Sequence, residues 1–293
     1  MAARQDEARC QRNKWETMVY SLAEIERARA SLWRTDPARQ IADERGALRL
    51  IRELGFVLLM PISGAELPSI HRATAREWSW WDWKQTLPGR RACYYAHLLR
   101  NRGTFVSWEW FPCFHAAYGD SRPYQRLFRE GLLDRDEKRI LDLLEQNGPM
   151  MTSEIRVTFA PRSKQNTRRV KSILVDLQKR LLITAAGGDT EGWSHHRWEL
   201  VERWVKPALL AEAERIPRAA AQGRLIAQFV RIAVATTEAD IAWLFGWDRS
   251  EVRAVVAQLL SQGQAQTLVV PELEGEVIAP KLLPRVGMTR SRQ

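Results

Sequence analysis

The sequence predicts a mainly helical α+β protein with small β-hairpins, assembled from tandem modules. Three observations predict it. Segments with apolar residues at i, i+3, i+4 and i+7 dominate the chain, as in "VKSILVDLQKRL". Strand-like runs are short and flank tips rich in turn residues. One order of elements (helix, short helix, longer helix, hairpin) occurs twice between residues 134 and 280.

Taken in order, residues 1–18 read as a charged lead-in. Residues 19–130 form a first unit. "SLAEIERARASL" opens with Ser21 and Glu24 spaced as a capping box, and "PARQIADERGALRLIREL" is a second helix, closed by Gly55. "FVLLMPI" reads as a buried strand ended by Pro61. A tryptophan-rich stretch, "REWSWWDWKQ", follows. "GRRACYYAHLLRNRG" is expected as a helix stopped by Gly103, with "TFVS" a short strand after it.

Residues 131–206 form the second unit: helix "DEKRILDLLEQNGPM", short helix "TSEIRVTF", longer helix "SKQNTRRVKSILVDLQKR", and a hairpin from "LLITAAGGD" to "HHRWELVE". Residues 207–284 hold a helical connector and a third unit, whose "QGRLIAQFVRIA", "TEADIAWLFG", "DRSEVRAVVAQLLSQG" and "AQTLVVPELEGEVIAP" fill the same four slots. Residues 285–293 are a basic tail. This order is that of a winged helix-turn-helix, so the expectation is three tandem winged helix-turn-helix units.

The formal charge of +10 favours a polyanionic partner, nucleic acid ahead of a membrane surface. Cys10, Cys93 and Cys113 show no C-x-x-C spacing, which suits a reducing cytoplasm and opposes a disulfide framework or structural zinc. The N-terminus lacks an apolar leader segment, and no apolar run is long enough to span a bilayer. The expected protein is cytoplasmic and monomeric, without membrane contact.

No phosphate-loop, dinucleotide or H-E-x-x-H motif is present, so nucleotide hydrolysis, dinucleotide chemistry and zinc proteolysis find no support; no metal or small-molecule cofactor is expected. The strongest local signal lies in the second unit. Val170, Ile173, Leu174, Leu177 and Leu181 make a buried stripe on its longer helix, while Lys164, Gln165, Arg168, Lys171 and Lys179 lie opposite, with Arg169 on the flank and Arg162 just before. From Pro161 to Arg180 seven basic residues face one acid, Asp176, the pattern of a phosphate-contacting helix. The third unit's matching helix carries only Arg249 and Arg253, offset by Asp248 and Glu251.

The stretch from "GALRLIRELGFVLLMPI" through "HRATAREWSWWDWKQTLPGRRACYYAHLLRNRGTFVSWEWFPCF", followed by two further modules, resembles the AlkZ/YcaQ-type DNA glycosylase family. That resemblance implies tandem winged helices whose concave face cradles double-stranded DNA and excises alkylated or crosslinked bases. The family's catalytic pair is a Gln, one residue, then Gln or Asp, after a G-x-V strand start and before a proline. Here the slot reads Gly55-Phe56-Val57-Leu58-Leu59-Met60-Pro61. Leu58 and Met60 have no group to orient water or to stabilise an oxocarbenium-like sugar. The chain therefore resembles a divergent branch, with the family's scaffold and without the catalytic pair of an N-glycosidic bond hydrolase. Glu66, Glu77, Asp82 and Glu109 are the nearby carboxylates, with Glu66 and Asp82 the weak substitutes.

On the same resemblance, Trp78 and Trp81 are expected to pack against Trp108 and Trp110. Trp80 and Trp83, beside Lys84, Arg90 and Arg91, are expected nearer the cleft as an aromatic and cationic surface. A wholly buried tryptophan cluster is the alternative. For function, the alternatives are a sequence-specific DNA-binding transcriptional regulator and a non-catalytic protein-docking scaffold.

Overall fold

Side-chain caps fix where several of the helices begin. Ser21 accepts the Glu24 amide hydrogen while the Glu24 carboxylate accepts that of Ser21, so the expected capping box starts α1 (Leu22–Leu32). In the computed structural model, residues 19–64, 66–75, 80–159, 164–188, 196–273 and 276–282 are described, and all structural statements concern these. The lead-in before residue 19 and the basic tail lie outside them.

The second helical segment is interrupted. A single 3-10 turn covers Pro37–Arg39, Ile41 bridges to Thr74, and α2 (Glu44–Leu54) starts only at its Asp43 cap. Gly55 follows at φ +82°, letting the chain swing from α2 directly into β1 (Phe56–Leu58). A Cβ there would lie 2.6 Å from the Trp110 indole.

The first module continues with a one-turn α3 (Ile70–Ala73), α4 (Trp83–Gly89), β2 (Tyr94–His97) and β3 (Gly103–Val106). These strands form an antiparallel sheet in the order β1-β3-β2. The expected helix over residues 89–103 is thus corrected to a strand followed by a 3-10 turn at Leu99–Asn101. Tertiary pairing overrides the helical pattern. Tyr94 and Tyr95 are both fully buried, and Gly103 stops nothing: its missing side chain leaves room for the Tyr95 hydroxyl, which a Cβ would meet at 2.1 Å. Two helices that the sequence reading did not assign, α5 (Phe111–Tyr118) and α6 (Tyr124–Arg129), close this part.

The next part follows expectation closely. It comprises α7 (Arg135–Asn147), a two-residue β4 (Met150–Met151), α8 (Thr152–Phe159), α9 (Lys164–Lys179), β5 (Ile183–Gly188) and β6 (His196–Leu200), with sheet order β4-β6-β5. Short helices α10 (Val201–Trp204) and α11 (Pro207–Arg215) lead into α12 (Arg218–Ala233), α13 (Glu238–Phe245) and α14 (Arg249–Ser261), then β7 (Ala265–Leu268) and β8 (Val277–Pro280). Helix-rich stretches with small antiparallel sheets make this an α+β fold.

Aromatic contacts weld these parts together. Phe56 of β1 meets Phe114 of α5 at 5.3 Å and Phe245 of α13 at 6.4 Å. Thr184 of β5 donates to the Tyr95 carbonyl at 3.2 Å. At the other end, Trp33 donates to the Ile232 carbonyl at 2.7 Å, and Ile25 and Ala28 of α1 pack with Leu268, Val277 and Ala279. The first helix therefore lies against the last repeat.

Candidate functional site

The slot at residues 58–60 is built by strand ends. The Leu58 amide donates to the Pro68 carbonyl at 3.0 Å, the Leu59 amide to Gly103 at 2.8 Å, and the His71 amide back to Leu59 at 3.1 Å. Leu58 is 1% exposed and belongs to the main core, whereas Met60 is 37% exposed. One residue is packing and the other faces outward, and neither carries a hydrogen-bonding group.

From Leu59 a wall of rings runs outward. The His71 imidazole lies 5.1 Å from the Trp80 ring, edge-on, and Trp80 lies 5.6 Å from Trp81. The Lys84 ammonium sits 3.1 Å from the centre of the Trp81 ring. Trp80 and Trp83 are 4% and 6% exposed, which corrects the expectation that they lie nearer the cleft. Spaced three apart across the turn into α4, they point the same way, into the core. Trp81 is the half-buried one. Trp108 packs instead against Tyr94 and Phe111 and donates to the Arg91 carbonyl at 2.8 Å, while Trp110 covers Gly55. Trp78 and Glu77 lie outside the described residues.

Lys84 is 5% exposed and has neither hydrogen bond nor ion pair among the described residues. Desolvation brings its amine down to about 8, only partly opposed by Asp82. Burial likewise depresses the His97 imidazole to about 4, helped by the charges of Lys84 and Arg102, so it is neutral at pH 7. Next in sequence to Lys84, Gln85 is buried with both amide atoms unpartnered. Such orphaned polar groups are costly to keep.

The remaining expected cations divide into engaged and free. Arg90 pairs with Glu44, and the Arg91 guanidinium stacks over Trp204 at 4.2 Å. On α9, Gln165, Arg168, Arg169 and Lys171 are exposed. Arg169 pairs with Asp136 of α7, whereas Arg168 and Lys171 have no carboxylate partner among the described residues. Arg162 and the Lys164 side chain lie outside the described residues.

Of the carboxylates offered as substitutes, Glu66 and Glu109 are exposed and Asp82 is half-buried at the start of α4, where its side chain makes no capping hydrogen bond. Glu66 is exposed, 4.0 Å from Arg72. The Asp82 carbonyl takes the amides of Gln85 and Thr86 at 2.8 and 3.0 Å, starting α4, and Glu109 is exposed. No group of three or more His, Cys, Asp or Glu among the described residues could hold a metal, and no helix there is long and apolar enough to cross a membrane.

Comparison with known proteins gives the class. The model of the AlkZ-related family matches residues 41–246, and the chain belongs to that family. Among solved structures it is similar to the Streptomyces sahachiroi DNA glycosylase AlkZ, with a TM-score of 0.56 and 13% sequence identity, over 90% of this chain and 70% of that one. At that identity the likeness is one of fold. No curated protein matches the chain by sequence.

Sequence reasoning missed the Lys84–Trp81 pair and its neighbour His97. The only available signal was a lysine inside a tryptophan-rich run, which reads equally well as a solvated cation. Its burial depends on α4 lying against β5, where Gly89 and Gly187 nearly touch: a Cβ on Gly89 would come within 3.1 Å of the Gly187 Cα.

Proposed function

We propose that this protein holds double-stranded DNA on a tandem winged-helix scaffold without excising bases through the 58–60 slot. The observation that carries this reading is the unneutralised cationic row of α9. Arg168 and Lys171 lie three positions apart on its exposed face with no carboxylate partner among the described residues, while Arg169 beside them pairs with Asp136. Unpaired cations at helical spacing are the cheapest way to bind a phosphate backbone, because each contact releases a condensed counterion. The residue 131–206 and 207–284 stretches are read as winged-helix units, with α9 as the longer helix of the first of them. The expected partner is intracellular duplex DNA, met by a monomer.

The apolar slot argues against the excision chemistry. Leu58 is core, and turning it outward would empty the centre of the β1 packing. Duplex binding measured against salt tests the reading: log K should fall linearly with log salt, while an alkylated duplex should release no free base. A salt-independent or absent affinity would favour a protein-docking scaffold and sink the proposal. Preference for one sequence by orders of magnitude, with dimerisation, would favour a transcriptional regulator. Base release lost on substituting Glu66 or Asp82 would restore the enzyme.

A further inference from the structure

The turn between β2 and β3 is strained, and it is held from two sides. Arg100 and Asn101 follow one another in the left-handed region, at φ 48° and 59°. Asparagine tolerates that region, whereas arginine adopts it only where surrounding structure imposes it. Here the Arg100 guanidinium lies 4.6 Å from the centre of the Trp243 ring of α13. At the base of the turn, the His97 amide donates to the Gln178 side-chain carbonyl of α9 at 2.9 Å. The turn thereby presents Arg100, Asn101 and Arg102 in succession, all exposed. Neither arginine has a carboxylate partner among the described residues. An apolar side chain stands beside them. Leu58 pairs with Thr104 and the Leu59 amide donates to the Gly103 carbonyl at 2.8 Å, so the ladder brings Met60 opposite Arg102. On the other flank the His71 amide donates to the Leu59 carbonyl at 3.1 Å. That brings exposed His71 and Arg72 alongside, the latter 4.0 Å from Glu66. Met60, 37% exposed, is thus an apolar side chain with arginines on both flanks.

We propose that Met60 and the Arg100–Arg102 turn form a probe of the minor groove of duplex DNA, selective for steps that unstack easily. The proposal rests on the reading that this chain holds duplex DNA, and adds a second contact and the kind of duplex it prefers. Arg100 and Arg102 take the phosphates that border the groove, and the Met60 thioether presses between base pairs. An exposed apolar tip between cations fits a partner that is apolar at its centre and anionic at its margins. A duplex met at the minor groove is such a partner, with stacked bases between two phosphate rails. Methionine suits the task because it is unbranched and adapts its shape to an irregular gap. An inserted apolar side chain parts one base step and bends the duplex toward the major groove. Opening is easiest at a mismatch or a pyrimidine–purine step, so preference arises without a hydrogen bond to any base. The position of α9 agrees with this. Lys171 precedes Gln178 by seven positions, two helical turns, so it lies about 10 Å along the axis on the side that carries the β2–β3 turn. The unpaired lysine and the probe therefore address one side of the molecule.

The experiment uses the full chain and two duplexes of equal length, one fully paired and one with a central mismatch. Each carries 2-aminopurine at the central step, whose fluorescence rises when its neighbour unstacks. The expected result is that the mismatched duplex binds about threefold or more tightly than the paired one, with a fluorescence rise on binding. Met60→Ala should abolish both the preference and the rise, while Met60→Leu, which keeps an apolar tip, should retain them. Arg100→Ala with Arg102→Ala should weaken both duplexes about tenfold and lower the slope of log K against log salt by about two. Cooperative thermal unfolding of each variant shows that it folds. If the preference and the rise are absent in the wild-type protein or survive Met60→Ala, the probe is overturned. An unchanged salt slope in the double arginine variant overturns it equally. In either case DNA holding stands as long as the paired duplex still binds with a salt slope. If neither duplex binds, both fall.

Discussion

The two repeats that share one element order have put their long helices to different uses. In the second module, α9 leaves Arg168 and Lys171 exposed without carboxylate partners among the described residues. In the third, α14 has Arg253 at 3.2 Å from Glu238 of α13, and Arg249 lies between Asp248 and Glu251. Their sheets differ too: three strands in β4-β6-β5, two in β7-β8. The third module spends its remaining edge and apolar surface on α1, through Leu268, Val277 and Ala279. One repeat therefore leaves exposed cations on its long helix, and the other packs its sheet against α1. Charge compensation on the long helix and the make-up of the sheet distinguish them.

The largest effect expected from breaking this asymmetry is on DNA affinity. Arg168→Ala with Lys171→Ala should weaken duplex binding about 10- to 100-fold near 0.1 M salt and reduce the slope of log K against log salt by about two, one per lost phosphate contact. Fluorescence anisotropy over a salt series measures both; an unchanged slope would remove α9 from the interface. Next comes a change confined to the third module. Thr237 accepts the Asp240 amide at 3.1 Å and the Asp240 carboxylate accepts the Thr237 amide at 3.2 Å, so Thr237→Ala should cost about 1 kcal/mol of stability. Chemical denaturation should show that loss while duplex affinity stays as it was.

Much of the asymmetry was legible beforehand, because it is written in local charge and helical spacing. Seven cations against one acid around α9 needed no tertiary information, and both repeats of helices fell close to where their caps and stripes put them. The first module was harder. Its Tyr94–Tyr95 strand carries a helical pattern in sequence, and only pairing with β3 and the space left by Gly103 make it a strand. The tryptophans misled in the same way. Trp80 and Trp83 sit in a basic stretch, yet depth within a module cannot be read from neighbours along the chain. Which cations would be tied up was equally invisible: Glu44 reaches Arg90 across 46 positions, and Trp204 reaches Arg91 from another module.

A smaller effect tests whether engagement by a carboxylate matters within α9 itself. Arg169 neighbours Arg168 in sequence but pairs with Asp136. An exposed pair of this kind is worth little to stability, yet it holds the guanidinium away from a phosphate. Arg169→Ala should therefore weaken duplex binding only about two- to threefold, well below the loss expected from removing an unpaired cation on the same helix. Asp136→Asn should release Arg169 and tighten binding by a comparable factor.

The smallest effect is expected on α14, whose two arginines the sequence already shows offset by neighbouring acids. Arg249 and Arg253 are the two cations of α14. Glu238 already satisfies Arg253, and Asp248 and Glu251 lower the local potential around Arg249, so the helix presents little net charge to a polyanion. Arg249→Ala with Arg253→Ala should change duplex affinity less than about twofold and leave the salt slope intact, since no phosphate contact is lost. Glu238→Gln adds the decisive comparison. If compensation is what silences α14, removing that carboxylate should strengthen binding and steepen the slope toward that of α9. If α14 stays silent even then, its orientation keeps it from DNA, and the difference between the two repeats lies in how they are placed instead of in how they are charged.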